Sequence, residues 1–375
     1  MVIEEGCGML GLVLGAMVSM LFTLVLTPVF ARAFRHANLG QFYRADTPTT
    51  HIVKRGTPSM GGVVFLTGAV VGYFAGHLIS GDSITGSGLL AFGLMGGMGG
   101  IGFADDFLKV SRNNSLGLRP TYKLIGCCLF SIIFGLLAIL YHDANGRTPA
   151  STAVSFTRDL PIDAVVLLGP VVGLIVFLIW VLLIGTSISN AVNLADGLDG
   201  LAAGASVFAL GAYVLICYWQ NVQSCFATSL HPANALGCYT VTSPLDLSVV
   251  AACLVGSLIG FLWWNTHPAQ IIMGDTGAFG IGGALAALAI LSRTELLLIV
   301  IGGLFFVITS QVIVQRIYFK ATHGRRIWRA SPLHHHFEMV GWAEVTIVVR
   351  FWMIAGICSV AAVVLVYLEW LTRTR

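Results

Sequence analysis

Charge is what this sequence has least of. Asp, Glu, Lys and Arg make up 10% of its 375 residues, whereas 57% are apolar and the mean hydropathy is +0.88. A soluble domain carries roughly a quarter charged residues. An ordinary solvated surface is therefore excluded, and most of the surface must face lipid. The eight cysteines form no CxxC pair and no His/Cys alternation, which removes zinc-type sites. There is no long low-complexity tract, no repeat of fixed period and no soluble domain. The amino end carries Glu4 and Glu5 instead of basic residues, and a long apolar run follows, which argues against a cleaved signal peptide.

What is abundant is apolar sequence in long runs. A bilayer core of about 30 Å needs roughly 20 apolar residues per helix. Ten segments qualify: 10–34, 60–80, 87–108, 122–141, 163–186, 199–219, 247–264, 276–292, 296–318 and 347–370. The 44 glycines suit close packing between membrane helices. The expected fold is an all-α integral membrane protein of about ten transmembrane helices, with 1–375 forming one polytopic domain. Cys225 and Cys238 share one polar loop and can pair if it faces an oxidising compartment; spacing alone does not decide it.

Basic residues mark the cytoplasmic side. Arg32, Arg35, Arg44, Lys54 and Arg55 lie between segments one and two; Lys109, Arg112, Arg119 and Lys123 follow segment three; Arg316, Lys320, Arg325, Arg326 and Arg329 follow segment nine. These fourteen of the twenty basic residues share one side, which Arg350 joins. Both termini are then extracytoplasmic.

Acidic residues beside membrane helices are costly and usually functional. Asp105 and Asp106 end segment three, Asp196 and Asp199 open segment six, and Asp275 opens segment eight, all on the cytoplasmic side. The stretches around Asp196, Asp199 and Asp275 hold no Lys or Arg, so a divalent cation is the economical partner. Adjacent carboxylates such as Asp105 and Asp106 repel unless a cation or proton relieves them. Asp196, Asp199 or Asp275 would serve simply as helix caps, but a cap does not need the two Asn, two Asp and two Gly of 190–200. Glycines around Asp275 expose N–H groups that cradle phosphate, while the carboxylate holds a hard cation. His334, His335 and His336 cannot easily close on one metal; phosphate contact or proton transfer suits them better. Carboxylates, basic groups and glycine-rich helix starts together suit phosphoryl transfer.

At these residues the sequence resembles the polyprenyl-phosphate N-acetylhexosamine-1-phosphate transferases. The matching stretches are GTPSMGG at 56–62, DDFLK at 105–109, NAVNLADGLDGLA at 190–202, PAQIIMGDTGAFG at 268–280 and PLHHHFE at 332–338. The unbroken His run favours the muramoyl-pentapeptide branch over the GlcNAc-1-phosphate branch. The resemblance implies a bacterial inner-membrane enzyme with Mg²⁺ as cofactor, UDP-MurNAc-pentapeptide and undecaprenyl phosphate as substrates, and lipid I plus UMP as products. A homodimer is expected, and no nucleic-acid partner. By motif position, Asp105, Asp106, Asp275, His334, His335 and His336 would be catalytic, with Asp275 the metal ligand. Lys54, Ser59, Asn190, Asn193, Asp196, Asp199, Asn265 and Gly274 would bind the nucleotide-sugar, and Lys109 and Lys123 the lipid phosphate. Asn113 stands where a second Lys is usual and Ile272 where an aromatic commonly stacks on the base, so those two contacts are in doubt.

The implied reaction is attack of a lipid phosphate oxygen on the β-phosphate of the UDP-sugar. A phosphate monoester, with its second pKa of about 6, is largely dianionic at pH 7, so direct attack is favoured over a phospho-Asp intermediate. Two alternatives stand beside it: a UDP-GlcNAc-specific enzyme of the same superfamily, and a secondary transporter. The transporter would place its charges near the bilayer midplane on broken helices; here they sit at segment ends.

Overall fold

A computed structural model describes residues 2–36, 57–111, 117–143, 145–227 and 232–374. In chain order the elements are α1 (Val2–His36), α2 (Gly62–Ser80), α3 (Gly86–Ser111), α4 (Pro120–Leu140), β1 (Ala153–Ser155), β2 (Asp159–Asp163), α5 (Ala164–Leu168), α6 (Pro170–Ala195), α7 (Leu201–Val222), a 3-10 turn (Pro232–Gly237), α8 (Pro244–Asn265), α9 (Gly274–Leu291), α10 (Leu298–Ile301), α11 (Gly303–Ala321), α12 (Leu333–Val340) and α13 (Glu344–Thr374). Among the described residues ten helices are long and apolar enough to cross a membrane, one for each expected segment.

The local signals are physical ones. α4, α6 and α8 each begin with proline in the first turn, where its missing N–H costs no helical bond. Pro28 lies inside α1 and leaves the Leu24 carbonyl without its i+4 donor; the Trp264 indole N–H of α8 donates to that oxygen at 2.9 Å. α1 turns Met9, Val13, Met17, Leu21, Val25 and Val29 outward, as a lipid-facing helix must.

α9 is the central helix. Every residue from Thr276 to Leu291 is buried, packed against α2, α3 and α6. Its amino end meets the carboxyl ends of α3 and α6 and the amino end of α4, so the acidic motifs and their lysines converge at one end of the bundle.

Several expectations change in detail. The 163–186 segment is divided at Gly169, whose φ of +80° turns the chain between α5 and α6. α6 then runs to Ala195, so Asn190 and Asn193 stand on helix. The 296–318 segment is divided at Gly302, and α12 occupies the expected 319–346 loop. The all-α expectation misses a two-stranded antiparallel hairpin, β1–β2, at the opposite end of the bundle. There Cys225 and Cys238 form a disulfide, answering the question spacing left open. The Arg158 guanidinium stacks 3.8 Å from the Tyr239 ring, bonds the Cys238 and Gly237 carbonyls and pairs with Glu369 at 3.0 Å, tying the hairpin to α13.

Candidate active site

Three carboxylates and two ammonium groups meet at the amino end of α9. Asp105 and Asp106 come from the last turns of α3, Lys109 from one turn later, Lys123 from the first turn of α4 and Asp275 from the first turn of α9. Lys109 Nζ lies 2.6 Å from Asp105 Oδ2 and 3.1 Å from Asp275 Oδ2. Lys123 Nζ lies 2.8 Å and 2.5 Å from the same two atoms. Asp105 Oδ1 accepts the Leu118 N–H at 2.6 Å, and Asn193 Nδ2 donates to Asp275 Oδ1 at 2.8 Å.

Asp106 faces the helix itself. Its Oδ1 accepts the Asp275 N–H at 3.2 Å, and its Oδ2 accepts the Thr276 N–H at 2.9 Å and hydroxyl at 2.8 Å. It therefore satisfies leading donors of α9 that no side chain of the local sequence caps. Gly274 makes this possible: its φ is +75°, and a Cβ there would lie 2.6 Å from Asp106 Oδ2.

One carboxylate oxygen from each of Asp105, Asp106 and Asp275 can be chosen so that all lie within 4.8 Å of one another. Three negative charges face two positive ones, and the donors are all hard oxygens. That set fits a divalent cation of the Mg²⁺ type. Asp196 closes α6 nearby, half-buried. Burial, then the Asp275, Asp106 and Asp199 charges, push its carboxyl up to about 8.

The other sequence candidates are dispersed around this centre. Ser59 is buried beside it, because the Ile272 N–H donates to Pro58 O at 2.8 Å and the Gly61 N–H to Ile272 O at 2.9 Å. Asn265 is buried and braces its own loop through Ile271 O at 2.9 Å. Asn190 bonds back to Thr186 O at 2.7 Å. Asp199 Oδ2 accepts the Ala269 N–H at 3.1 Å and lies 3.2 Å from His267 Nδ1. Lys54, Arg112 and Asn113 fall outside the described residues.

The three histidines separate. His334 is fully buried against Gly197, where a Cβ would approach its Nε2 to 2.1 Å, so only glycine leaves room for the ring. His335 Nδ1 lies 2.5 Å from Glu338 Oε2. His336 Nδ1 accepts the Arg329 N–H at 3.2 Å.

Sequence reasoning missed Thr276, His267, Glu344 and Trp352. Glu344 lies 3.3 Å from His267 Nδ1, and Trp352 Nε1 donates to Gly200 O at 3.2 Å. Glu344 was findable: it is an acidic residue opening an apolar helix, the signal that marked Asp275. An apolar cleft of about 640 Å³ between α1, α7, α8 and α13 has no ionisable side chain in its wall and is not this site.

Ammonium and carboxylate groups interlocked at a helix start suit chemistry on phosphorylated substrates, and they lie at one end of a bundle of membrane-length apolar helices, the setting of a membrane-embedded transferase. Residues 88–293 match the model of glycosyl transferase family 4, and residues 54–66 match signature 1 of the phospho-N-acetylmuramoyl-pentapeptide-transferases. A phospho-N-acetylmuramoyl-pentapeptide-transferase from Clavibacter michiganensis subsp. michiganensis is 55% identical over 97% of this chain and 100% of its own. One from Kocuria rhizophila is 52% identical over 97% and 96%. The chain belongs to the phospho-N-acetylmuramoyl-pentapeptide-transferase family.

Proposed function

We propose that this chain works at the cytoplasmic face of the bacterial inner membrane, as one transferase domain, with the Asp105–Asp106–Asp275 cluster as its Mg²⁺-dependent centre. As a member of its family it transfers phospho-MurNAc-pentapeptide from UDP-MurNAc-pentapeptide to undecaprenyl phosphate, giving lipid I and UMP, a step of peptidoglycan synthesis. The observation that carries the site assignment is the shared hold of Lys109 and Lys123 on Asp105 and Asp275.

Asp275 is the first ligand for the cation, with Asp105 beside it. When bound, Mg²⁺ neutralises diphosphate charge and stabilises the departing UMP. Two anions must meet, so positive charge fixed in place lowers the barrier. Lys109 and Lys123 hold the lipid phosphate and the transferred phosphoryl group. Asn193 orients Asp275, and Ser59, Asp196 and Gly274 border the nucleotide-sugar site. Asn190, Asp199 and Asn265 shape that site from behind, while His334 reaches it through Gly197. His335 and His336 face the phosphate and sugar side, and Lys54, outside the described residues, is assigned to the nucleotide-sugar by its motif position alone.

A lipid phosphate oxygen forms the new P–O bond at the β-phosphorus, and the bond to UMP breaks with its electron pair leaving on UMP. The geometry favours this direct route. Asp105 is 0% and Asp106 3% exposed, and the oxygens of both are engaged by backbone donors, a hydroxyl or lysines. Neither presents an uncommitted nucleophile. Basic residues flanking the site end support the cytoplasmic orientation, and the disulfide at the other end supports an exported face there. A second copy of the chain is expected as partner in the bilayer.

The test is UMP release by purified protein with undecaprenyl phosphate, Mg²⁺ and either UDP-MurNAc-pentapeptide or UDP-GlcNAc. Turnover with the muramoyl substrate alone, abolished by EDTA, is expected. Turnover with UDP-GlcNAc alone would move the chain to the other branch, and no UMP from either would reject the enzyme reading.

A further inference from the structure

The geometry points to Glu344 as a positioning residue for nucleotide-sugar binding, acting with His267 on the segment that carries Asn193, Asp196 and Asp199. This rests on the reading of that segment as part of the nucleotide-sugar site. Its near end touches the catalytic cluster, where Asn193 donates to Asp275. Its far end enters α7 through Gly200, whose φ is +76°, and no side chain caps that helix. The far end therefore relies on groups from elsewhere in the chain.

Those groups come mainly from the C-terminal elements. Glu344, in the first turn of α13, accepts the Asp199 N–H on Oε1 at 3.1 Å. Its Oε2 lies 3.3 Å from His267 Nδ1, and the same nitrogen lies 3.2 Å from Asp199 Oδ2. With carboxylate oxygens on both sides, Nδ1 carries the hydrogen and is shared between them. Two carboxylates so close would repel without it. Trp352 bonds Gly200 O, and His334 fills the space over Gly197. The segment is thus held at 197, 199 and 200, and Glu344 makes the hold at Asp199, the acidic residue among the three. Glu344 and His267 group with Asp199, and Asp105, Asp106 and Asp275 form a separate group, so loss of the first two should loosen substrate binding and spare the chemical step.

Steady-state UMP release by the purified full-length chain tests this with Glu344→Ala, Glu344→Gln, His267→Ala and, as reference, Asp196→Ala. Glu344→Ala is expected to raise KM for UDP-MurNAc-pentapeptide about tenfold, with kcat within about threefold and KM for undecaprenyl phosphate unchanged. Glu344→Gln keeps a carbonyl for the Asp199 N–H and should recover much of the loss. His267→Ala, at a more exposed side chain, should raise the same KM about threefold or more, and it serves if Glu344→Ala does not yield a monodisperse protein. A KM within about twofold of wild type for both Glu344→Ala and His267→Ala, or a fall in kcat with KM unmoved, overturns the proposal. If Asp196→Ala raises KM and those two do not, only the role of Glu344 and His267 falls. If Asp196→Ala also leaves KM unmoved, the nucleotide-sugar reading of that segment falls with it.

Discussion

Asp106 reaches from α3 to the first turn of α9 and accepts both the N–H and the hydroxyl of Thr276, at 2.9 and 2.8 Å. A carboxylate that an acidic-pair motif would assign to chemistry thereby fixes the helix that presents Asp275. Bonds from neutral donors to a charged acceptor are stronger than neutral pairs, so the orientation of Asp275 depends on this contact.

Replacing Asp106 by Asn turns one acceptor into an N–H group facing donors. UMP release should fall about a hundredfold or more in a protein that still purifies as a folded species. Thr276→Val, which removes only the hydroxyl, should cost several-fold, and Thr276→Ser should restore wild-type kcat. Wild-type kcat in Thr276→Val beside an inactive Asp106→Asn would mean that Asp106 acts on substrate instead.

Glu295 sits between α9 and α10 at the hairpin end, 4% exposed. Its Oε2 accepts the Ser155 N–H at 2.9 Å and the Trp180 indole N–H at 3.1 Å. Burial first, with the Asp159 charge adding to it, pushes its carboxyl up to about 7 from an ordinary 4.5. The folded state then holds more protons than the unfolded state between those values, so stability falls as pH rises through that window and levels off above it. Glu295→Gln should remove that slope and be the more stable protein at pH 8, by on the order of 1 kcal/mol or more. Thermal unfolding of both proteins at pH 5 and pH 8 checks this; parallel pH dependence would contradict it.

The Cys225–Cys238 disulfide closes a loop with a sequence separation of 13. Cross-linking a loop of this size contributes about 3 kcal/mol by the chain-entropy estimate. In intact spheroplasts, a membrane-impermeant maleimide should label these two positions only after an impermeant reductant. Labelling that requires lysis would place the loop in the cytoplasm and reverse the orientation.

The ten spans were legible because lipid demands long apolar runs, and the acidic motifs because charge beside such runs is costly. Asp105, Asp106 and Asp275 were legible together by motif position, but the pairing of Asp275 with Lys109 and Lys123 was not: its own stretch holds no Lys or Arg, and both lysines reach it from other helices. What stayed hidden depends on partners distant in sequence. Nothing around Asp106 announces that it caps a helix beginning nearly 170 residues later. The His run looked like one unit, but the helical turn of α12 sends its members in different directions, one against Gly197 and one back to Arg329. The Cys225–Cys238 bond is set by Cβ geometry, which spacing does not contain.

The most direct test is Mg²⁺ titration of UMP release by wild type and Asp275→Asn, with both substrates saturating and Mn²⁺ binding followed by EPR on the same proteins. Wild type should show a saturable Mg²⁺ requirement lost in EDTA. Asp275→Asn should bind Mn²⁺ weakly and turn over about a thousandfold more slowly at every Mg²⁺ concentration. An Asp275→Asn protein with wild-type turnover, or with wild-type Mn²⁺ affinity, would contradict the placement of the metal-dependent centre at the amino end of α9.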